Sequence, residues 1–124
     1  MNMTEIKGIV VHGKHVGHTI GFPTANVKPE PADQRIPKVG VYAGELQIEG
    51  EAQWWRCLID HGYQPTIPSG KETIEVFILD FHRDIYGKLV RVRFTGHLRA
   101  ERKFDSVDAL KAQLARDVER VRLL

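Results

Sequence analysis

Between Leu89 and Arg99, apolar Val90, Val92 and Phe94 alternate with Arg91, Arg93 and Thr95. Successive side chains of an extended chain point to opposite faces, so this period of two predicts a strand with one buried face. β-Branched and aromatic residues also cluster between glycines and prolines at Lys7–His12, Thr24–Val27, Gly40–Ile48, Trp54–Ile59 and Thr73–Leu79, and each cluster predicts a further short strand. From Ser106 the period lengthens. Val107, Leu110, Leu114, Val118 and Val121 fall on one helical stripe, with Lys111, Arg116, Glu119 and Arg120 elsewhere. Asp105 or Ser106 can cap this helix, Asp108 suits its first turn, and Arg120 and Arg122 suit its last. Six strands with connections too short for parallel crossovers, followed by one helix, predict an antiparallel barrel plugged or flanked by that helix. Two stretches interrupt the pattern, Lys28–Lys38 with Pro29, Pro31 and Pro37, and Tyr63–Lys71 with Pro65, Pro68 and Gly70. Both read as long loops, which in a small barrel are more often functional than accidental.

At 124 residues the chain is the size of one domain, expected to span 1–124, and 42% hydrophobic with 27% charged residues is the composition of a folded protein. A formal charge of +2 gives no global field that argues for nucleic acid, so any anion site must be local. The single Cys57 has no partner for an internal disulfide, and Trp55 and Ile59 beside it predict a buried strand position in a reducing compartment. No apolar run approaches the roughly 20 residues that span a bilayer, and the first five residues, Met1 to Glu5, lack a signal-peptide pattern. A cytoplasmic monomer without a membrane partner is the expectation.

Four segments carry possible chemistry. Three glycines at four-residue intervals, Gly13, Gly17 and Gly21, space Lys14, His15 and His18, and glycines let backbone N–H groups converge on phosphate oxygens. A glycine-rich hairpin without a ligand fits the same pattern. His12, His15 and His18 would gather on a helix as metal ligands, but the glycines argue against that helix. On an extended segment Thr24 and Asn26 share a face, where a hydroxyl and an amide oxygen could hold a hard cation bound to phosphates; ordinary turn and strand-end residues are the competing reading. Alternation puts Glu75 in one row with Phe77 and Leu79, away from Ile74, Val76 and Ile78, where partial desolvation would make it a better base. Glu72 lies on the opposite face and is expected to be exposed. Leu98 to Phe104 concentrates charge beside Phe104, where a planar ligand could stack.

Together these segments resemble the riboflavin kinase family, which phosphorylates the ribityl 5′-hydroxyl of riboflavin with ATP to give FMN. The resemblance runs from Gly8 to the end of the helix and rests on Gly21-Phe22-Pro23-Thr24-Ala25-Asn26, Gly40-Val41-Tyr42, the Gly62 to Thr66 turn, Glu75 through Phe81, Asp84-Ile85-Tyr86-Gly87 and Leu98 through Phe104. It implies a mainly β fold, a six-stranded antiparallel Greek-key barrel with a C-terminal helix. By the same resemblance Thr24 and Asn26 bind Mg²⁺ and the phosphates of ATP, Gly13, Lys14, Gly17, His18 and Gly21 form the loop over the nucleotide, and Tyr86 lines its side. Glu75 becomes the catalytic base. Arg99, Glu101, Phe104 and Leu110 form a flap over riboflavin or FMN. Phosphoryl transfer is mainly positioning and charge neutralisation, which suits this division of labour.

The chain departs from the family pattern at His18, where Arg is usual, at Phe77, where His is usual, and in the turn Asp60-His61-Gly62-Tyr63-Gln64-Pro65-Thr66, where the family has Asn, a hydrophobic residue, Gly, any residue and then Arg-Pro-Thr. In many bacteria the kinase follows an adenylyltransferase domain, and none precedes it in this sequence. A monofunctional kinase, an isolated domain and a flavin- or nucleotide-binding relative without turnover all fit. A nucleic-acid-binding barrel is the alternative from another class, suggested by Arg91, Arg93, Arg99, Arg102 and Lys103 and by Trp54 and Trp55, which read as exposed.

Overall fold

The computed structural model describes residues 4–12, 21–64 and 71–124. Six strands, β1 (Thr4–Val11), β2 (Ala25–Pro29), β3 (Gly40–Ile48), β4 (Trp54–Gln64), β5 (Lys71–Ile78) and β6 (Leu89–Arg99), precede one helix, α1 (Val107–Arg122). The strands close into a barrel in the order β1-β2-β5-β4-β3-β6, with β6 returning to β1 and every adjacent pair antiparallel. The run β5-β4-β3 with β6 laid beside β3 is a Greek key. Closure leaves no open sheet edge.

Period-two alternation sorts the strands between two apolar clusters. Ile6, Val10, Val27, Leu46, Ile59, Val76, Val92 and Phe94 fill the barrel interior, where Cys57 is also fully buried. Val41, Ala43, Leu58 and Leu79 lie on the outer surface, covered by Leu114, Val118 and Val121 of α1. The helix therefore flanks the barrel and does not plug it. Two register irregularities in β6, opposite Val41/Tyr42 and Ala43/Gly44, break the alternation after Phe94. They let Leu98 join the outer cluster under α1, while Arg99, paired in register with Val41, reaches Asp117.

Ser106 caps α1, its hydroxyl accepting from the Ala109 N–H at 3.0 Å. Two expectations need correction at this helix and its neighbours. Val107 is 59% exposed, because the helical face that packs runs through positions 110, 114, 117 and 121, and the fully buried member of that face is Asp117. Trp54 and Trp55 are both half-buried: the Arg93 guanidinium lies 3.7 Å over the Trp54 ring, and Trp55 packs edge-on against Phe81 at the barrel end.

The loop expected from Lys28 starts later, because Lys28 and Pro29 pair with β1 as part of β2; residues 30–39 contain no strand, yet they are tied to the barrel. Gln34 bonds both backbone groups of Lys7 at 2.7 Å, and the Pro37 carbonyl bonds Nδ1 of the buried His61 at 2.7 Å. Strand β4 continues past Ile59, because Asp60, His61 and Gly62 find register partners Glu75, Ile74 and Thr73 in β5, and the first two also pair with β3. Its apolar pattern stops at Ile59, so the extension depends on pairing across the sheet.

Candidate active site

Strand register places one row of side chains across the outer face of the barrel. Asn26 in β2 lies opposite Glu75 in β5, Glu75 opposite Asp60 in β4, Asp60 opposite Val41 in β3, and Val41 opposite Arg99 in β6. Adjacent strands are about 4.8 Å apart, so Asn26, Glu75 and Asp60 fall within roughly 10 Å. Thr24, just before β2, donates its hydroxyl to Glu75 Oε1 at 3.4 Å. Thr24, Asn26 and Glu75 thus meet. Glu75 shares its face with Phe77, against which Phe22 packs edge-on at 5.5 Å, while Ile74, Val76 and Ile78 point into the interior.

On one side of the row a cleft of about 620 Å³ opens between the ends of β1 and β5, Pro23 and Thr24, and the segment from Phe81 to Tyr86. His12 and Tyr86 stack at its rim with ring centroids 3.7 Å apart and an interplanar angle of 17°. The Asp84 carboxylate accepts from the Tyr86 N–H at 2.9 Å and sets this turn. Tyr86 remains 55% exposed, a flat aromatic surface available to a ligand.

On the other side stands the segment after β6. The carboxyls of Glu101 and Asp60 meet beside Gly62, where a Cβ would lie 2.8 Å from Glu101 Oε1 and 3.6 Å from Asp60 Oδ1. Phe104 is half-buried, with the guanidiniums of Arg99 and Arg102 5.7 Å and 4.6 Å from its ring centroid. Burial, then the Glu101 hydrogen bond and charge, then the charge of Glu75 push the Asp60 carboxyl far above the ordinary carboxylate range, against a weaker pull from Arg99. Arg99 is engaged elsewhere. Its Nε bonds Asp117 Oδ1 and Oδ2 at 3.1 and 3.0 Å, its Nη2 bonds Oδ2 at 2.8 Å, and Gln113 Nε2 donates to Oδ1 at 2.8 Å. Leu110 is half-buried at the start of α1.

The geometry brings together most of what the sequence singles out: Thr24, Asn26 and Glu75 at the centre, Tyr86 on one side, Arg99, Glu101 and Phe104 on the other. Gly13, Lys14, Gly17 and His18 lie outside the described residues, and Gly21, with φ 88°, stands at the boundary of the described chain before Thr24. His12 stacks on Tyr86, and no group of three metal-ligating side chains occurs among the described residues. Two further residues join the site without a local signal of their own: Asp60 is the strand partner of Glu75 because β4 runs on to Gln64, and Asp117 is a buried carboxylate at the spacing of Leu110, Leu114 and Val121. Glu72 is exposed and on the opposite face from Glu75, as expected, and its Oε2 lies 3.1 Å from His61 Nε2.

The molecule is thus a closed Greek-key barrel whose polar centre lies outside the barrel, between a cleft and a helix-linked segment. The family model for riboflavin kinase matches residues 1–124. The bifunctional riboflavin kinase/FMN adenylyltransferase of Listeria monocytogenes is 44% identical over 117 residues, covering 94% of this chain and 36% of the relative. The RNA-binding riboflavin kinase of Bacillus subtilis is 39% identical over 117 residues, covering 94% of this chain and 49% of the relative. Among solved structures, one from Streptococcus pneumoniae described as a macrolide-efflux protein superposes with a TM-score of 0.86 at 39% identity, over 95% of this chain and 38% of that one. The riboflavin kinase of Trypanosoma brucei superposes at 0.62 and 25% identity, over 98% of this chain and 79% of that one. This chain belongs to the riboflavin kinase family. It spans between about a third and a half of the length of the curated relatives named, and no helix among its described residues is long and apolar enough to cross a membrane.

Proposed function

We propose that the chain transfers the γ-phosphate of ATP to the ribityl 5′-hydroxyl of riboflavin, giving FMN and ADP. The observation that carries this reading is the position of Glu75, in register between Asn26 on the cleft side and Asp60 on the Glu101 side. A nucleotide in the cleft and a flavin under the segment after β6 would direct phosphate and hydroxyl toward one carboxylate. Tyr86 with His12 offers a stacking surface for the base, Gly13, Lys14, Gly17, His18 and Gly21 cover the phosphates, and Phe104 with Arg99, Glu101 and Leu110 borders the flavin. Glu75 orients the attacking hydroxyl and accepts its proton as the bond to phosphorus forms and ADP leaves.

Thr24 and Asn26 fit the Mg²⁺ that the family implies, being oxygen donors suited to a hard cation. The Thr24 hydroxyl directs its proton at Glu75, which leaves its lone pairs for a cation. The Asn26 Nδ2 is buried with no hydrogen-bond partner among the described residues, so the amide is not held in place through that nitrogen. When bound, the ion supplies neutralisation of the phosphate charge.

A chain of this kind acts on small molecules, as a cytoplasmic monomer, without nucleic acid. Although the Bacillus subtilis relative is described as RNA-binding, the basic cluster here is largely committed within the protein. Arg93 bonds Glu5 at 3.0 Å and stacks on Trp54, Arg99 bonds Asp117, and Arg102 lies over Phe104. Incubation with riboflavin, ATP and Mg²⁺, followed by chromatography, should yield FMN. Quenching of riboflavin fluorescence without FMN would instead mark a binder without turnover, and single-stranded RNA bound with a steep salt slope but no flavin response would mark the nucleic-acid reading.

Loss of the stacking surface is expected to act on the nucleotide alone. Tyr86→Ala should raise the KM for ATP by about 5- to 100-fold, the range for one aromatic–base stack, and leave the KM for riboflavin near wild type. Equal effects on both substrates in steady-state kinetics would remove Tyr86 from the nucleotide side.

A further inference from the structure

We propose that Asp60 is a positioning residue for the flavin side of the site, because a hydrogen bond from its carboxyl to that of Glu101, made beside Gly62, latches the segment after β6 onto β4. The effect on flavin rests on the function proposed above; the latch itself does not.

The geometry of β4 is built for the contact. A Cβ on Gly62 would lie 2.8 Å from Glu101 Oε1 and 3.6 Å from Asp60 Oδ1, so the Glu101 carboxyl rests against strand backbone that only glycine leaves uncovered. Two carboxyls brought together in this way can hydrogen-bond only while one keeps its proton, since an ionised carboxylate only accepts, and burial of Asp60 favours its neutral form. Among the described residues no N–H or hydroxyl reaches the buried Asp60 Oδ1. The charged groups that face Asp60 are Glu75 from β5, Arg99 from β6 and Glu101 from the segment itself. Two of these three are acids. The cation that would stabilise an ionised Asp60 is bound to Asp117 by three hydrogen bonds. The protonated pair is therefore the arrangement that satisfies the site.

The sign follows from burial of a neutral acid. The folded chain holds a proton here that the unfolded chain gives up at lower pH, so the contact is intact at low pH and is lost as pH rises through the raised folded value. Two carboxylates then repel. The segment bearing Glu101, Arg102 and Phe104 lifts from β4, and a flavin held under it dissociates more readily.

Trypsin cleavage of the full chain after Arg102 and Lys103, followed by mass spectrometry and normalised to an unstructured peptide of the same sequence, reads the latch directly. Between about pH 6 and about pH 9 the normalised rate should rise at least about tenfold, the change that one unit of pKa separation produces. In Asp60→Asn the amide donates to Glu101 at every pH, so cleavage should stay slow and flat. Glu101→Gln donates to Asp60 in the same way and carries the test if Asp60→Asn does not fold. A flat wild-type profile, or a rise that persists in both variants, overturns the latch. Riboflavin affinity, read by fluorescence at the same two pH values, should weaken with the cleavage rise in wild type and stay level in Asp60→Asn. Absence of riboflavin binding at either pH with a normal cleavage profile would sink the proposed function and leave the latch standing; binding with flat cleavage does the reverse.

Discussion

Glu75→Gln should lower kcat by roughly 10²- to 10⁴-fold, the usual cost of losing a general base, while the barrel and riboflavin binding persist. Glutamine fills the same volume and still accepts from the Thr24 hydroxyl, which reaches Glu75 Oε1 in the native protein. It cannot take the proton from an attacking hydroxyl. Because the lost interaction forms only as the proton moves, kcat and kcat/KM should fall together with little change in the KM for riboflavin. Glu72→Gln provides the internal comparison. It lies three residues earlier, on the side of β5 that faces away from Asp60, and glutamine retains an oxygen for His61 Nε2. Near-normal turnover by Glu75→Gln in a variant that melts like wild type would mean that another group accepts the proton.

The second large effect concerns stability. Asp117 is fully buried on α1, and Arg99, 17% exposed, satisfies it from the end of β6. Asp117→Ala should lower the unfolding free energy by about 3–5 kcal/mol, the cost of stranding one partner of a buried ion pair, and urea denaturation with an unchanged m-value is the measurement. Removing both partners should cost less. Arg99→Met combined with Asp117→Leu keeps the apolar volume and leaves no unpaired charge, so its midpoint should lie above that of Asp117→Ala. A single variant within about 1 kcal/mol of wild type would show that the apolar contacts of Leu114, Val118 and Val121 hold the helix without the pair. These two variants probe different layers of one structure: Glu75 acts on the reaction, and Asp117 holds the helix that anchors the segment between Arg99 and Ser106.

Local pattern was enough for most of the architecture. The alternation at Val90, Val92 and Phe94, the β-branched runs in the other strands and the change to a helical period at Ser106 each express a burial requirement carried by neighbouring residues. Short connections then excluded parallel crossovers, and a barrel followed. Thr24, Asn26 and Glu75 were legible for a related reason, since two-residue spacing on a strand decides which side chains share a face. What no local pattern contains is the order in which strands pair. That β2 joins β5, and so brings Asn26 beside Glu75, is decided by closure of the barrel around one interior. The same closure extends β4 through Asp60 and His61, polar residues that sequence reading ends a strand before. The Asp60 carboxyl loses water where Glu101 comes to rest beside Gly62, and Asp117 can occupy an apolar stripe because β6, paired with β3, brings Arg99 to it. Sequence alone decides which residues must leave water; which distant partner makes it tolerable to bury a charge or a proton is decided by tertiary contacts, because burying a polar group is favourable only when another element meets it.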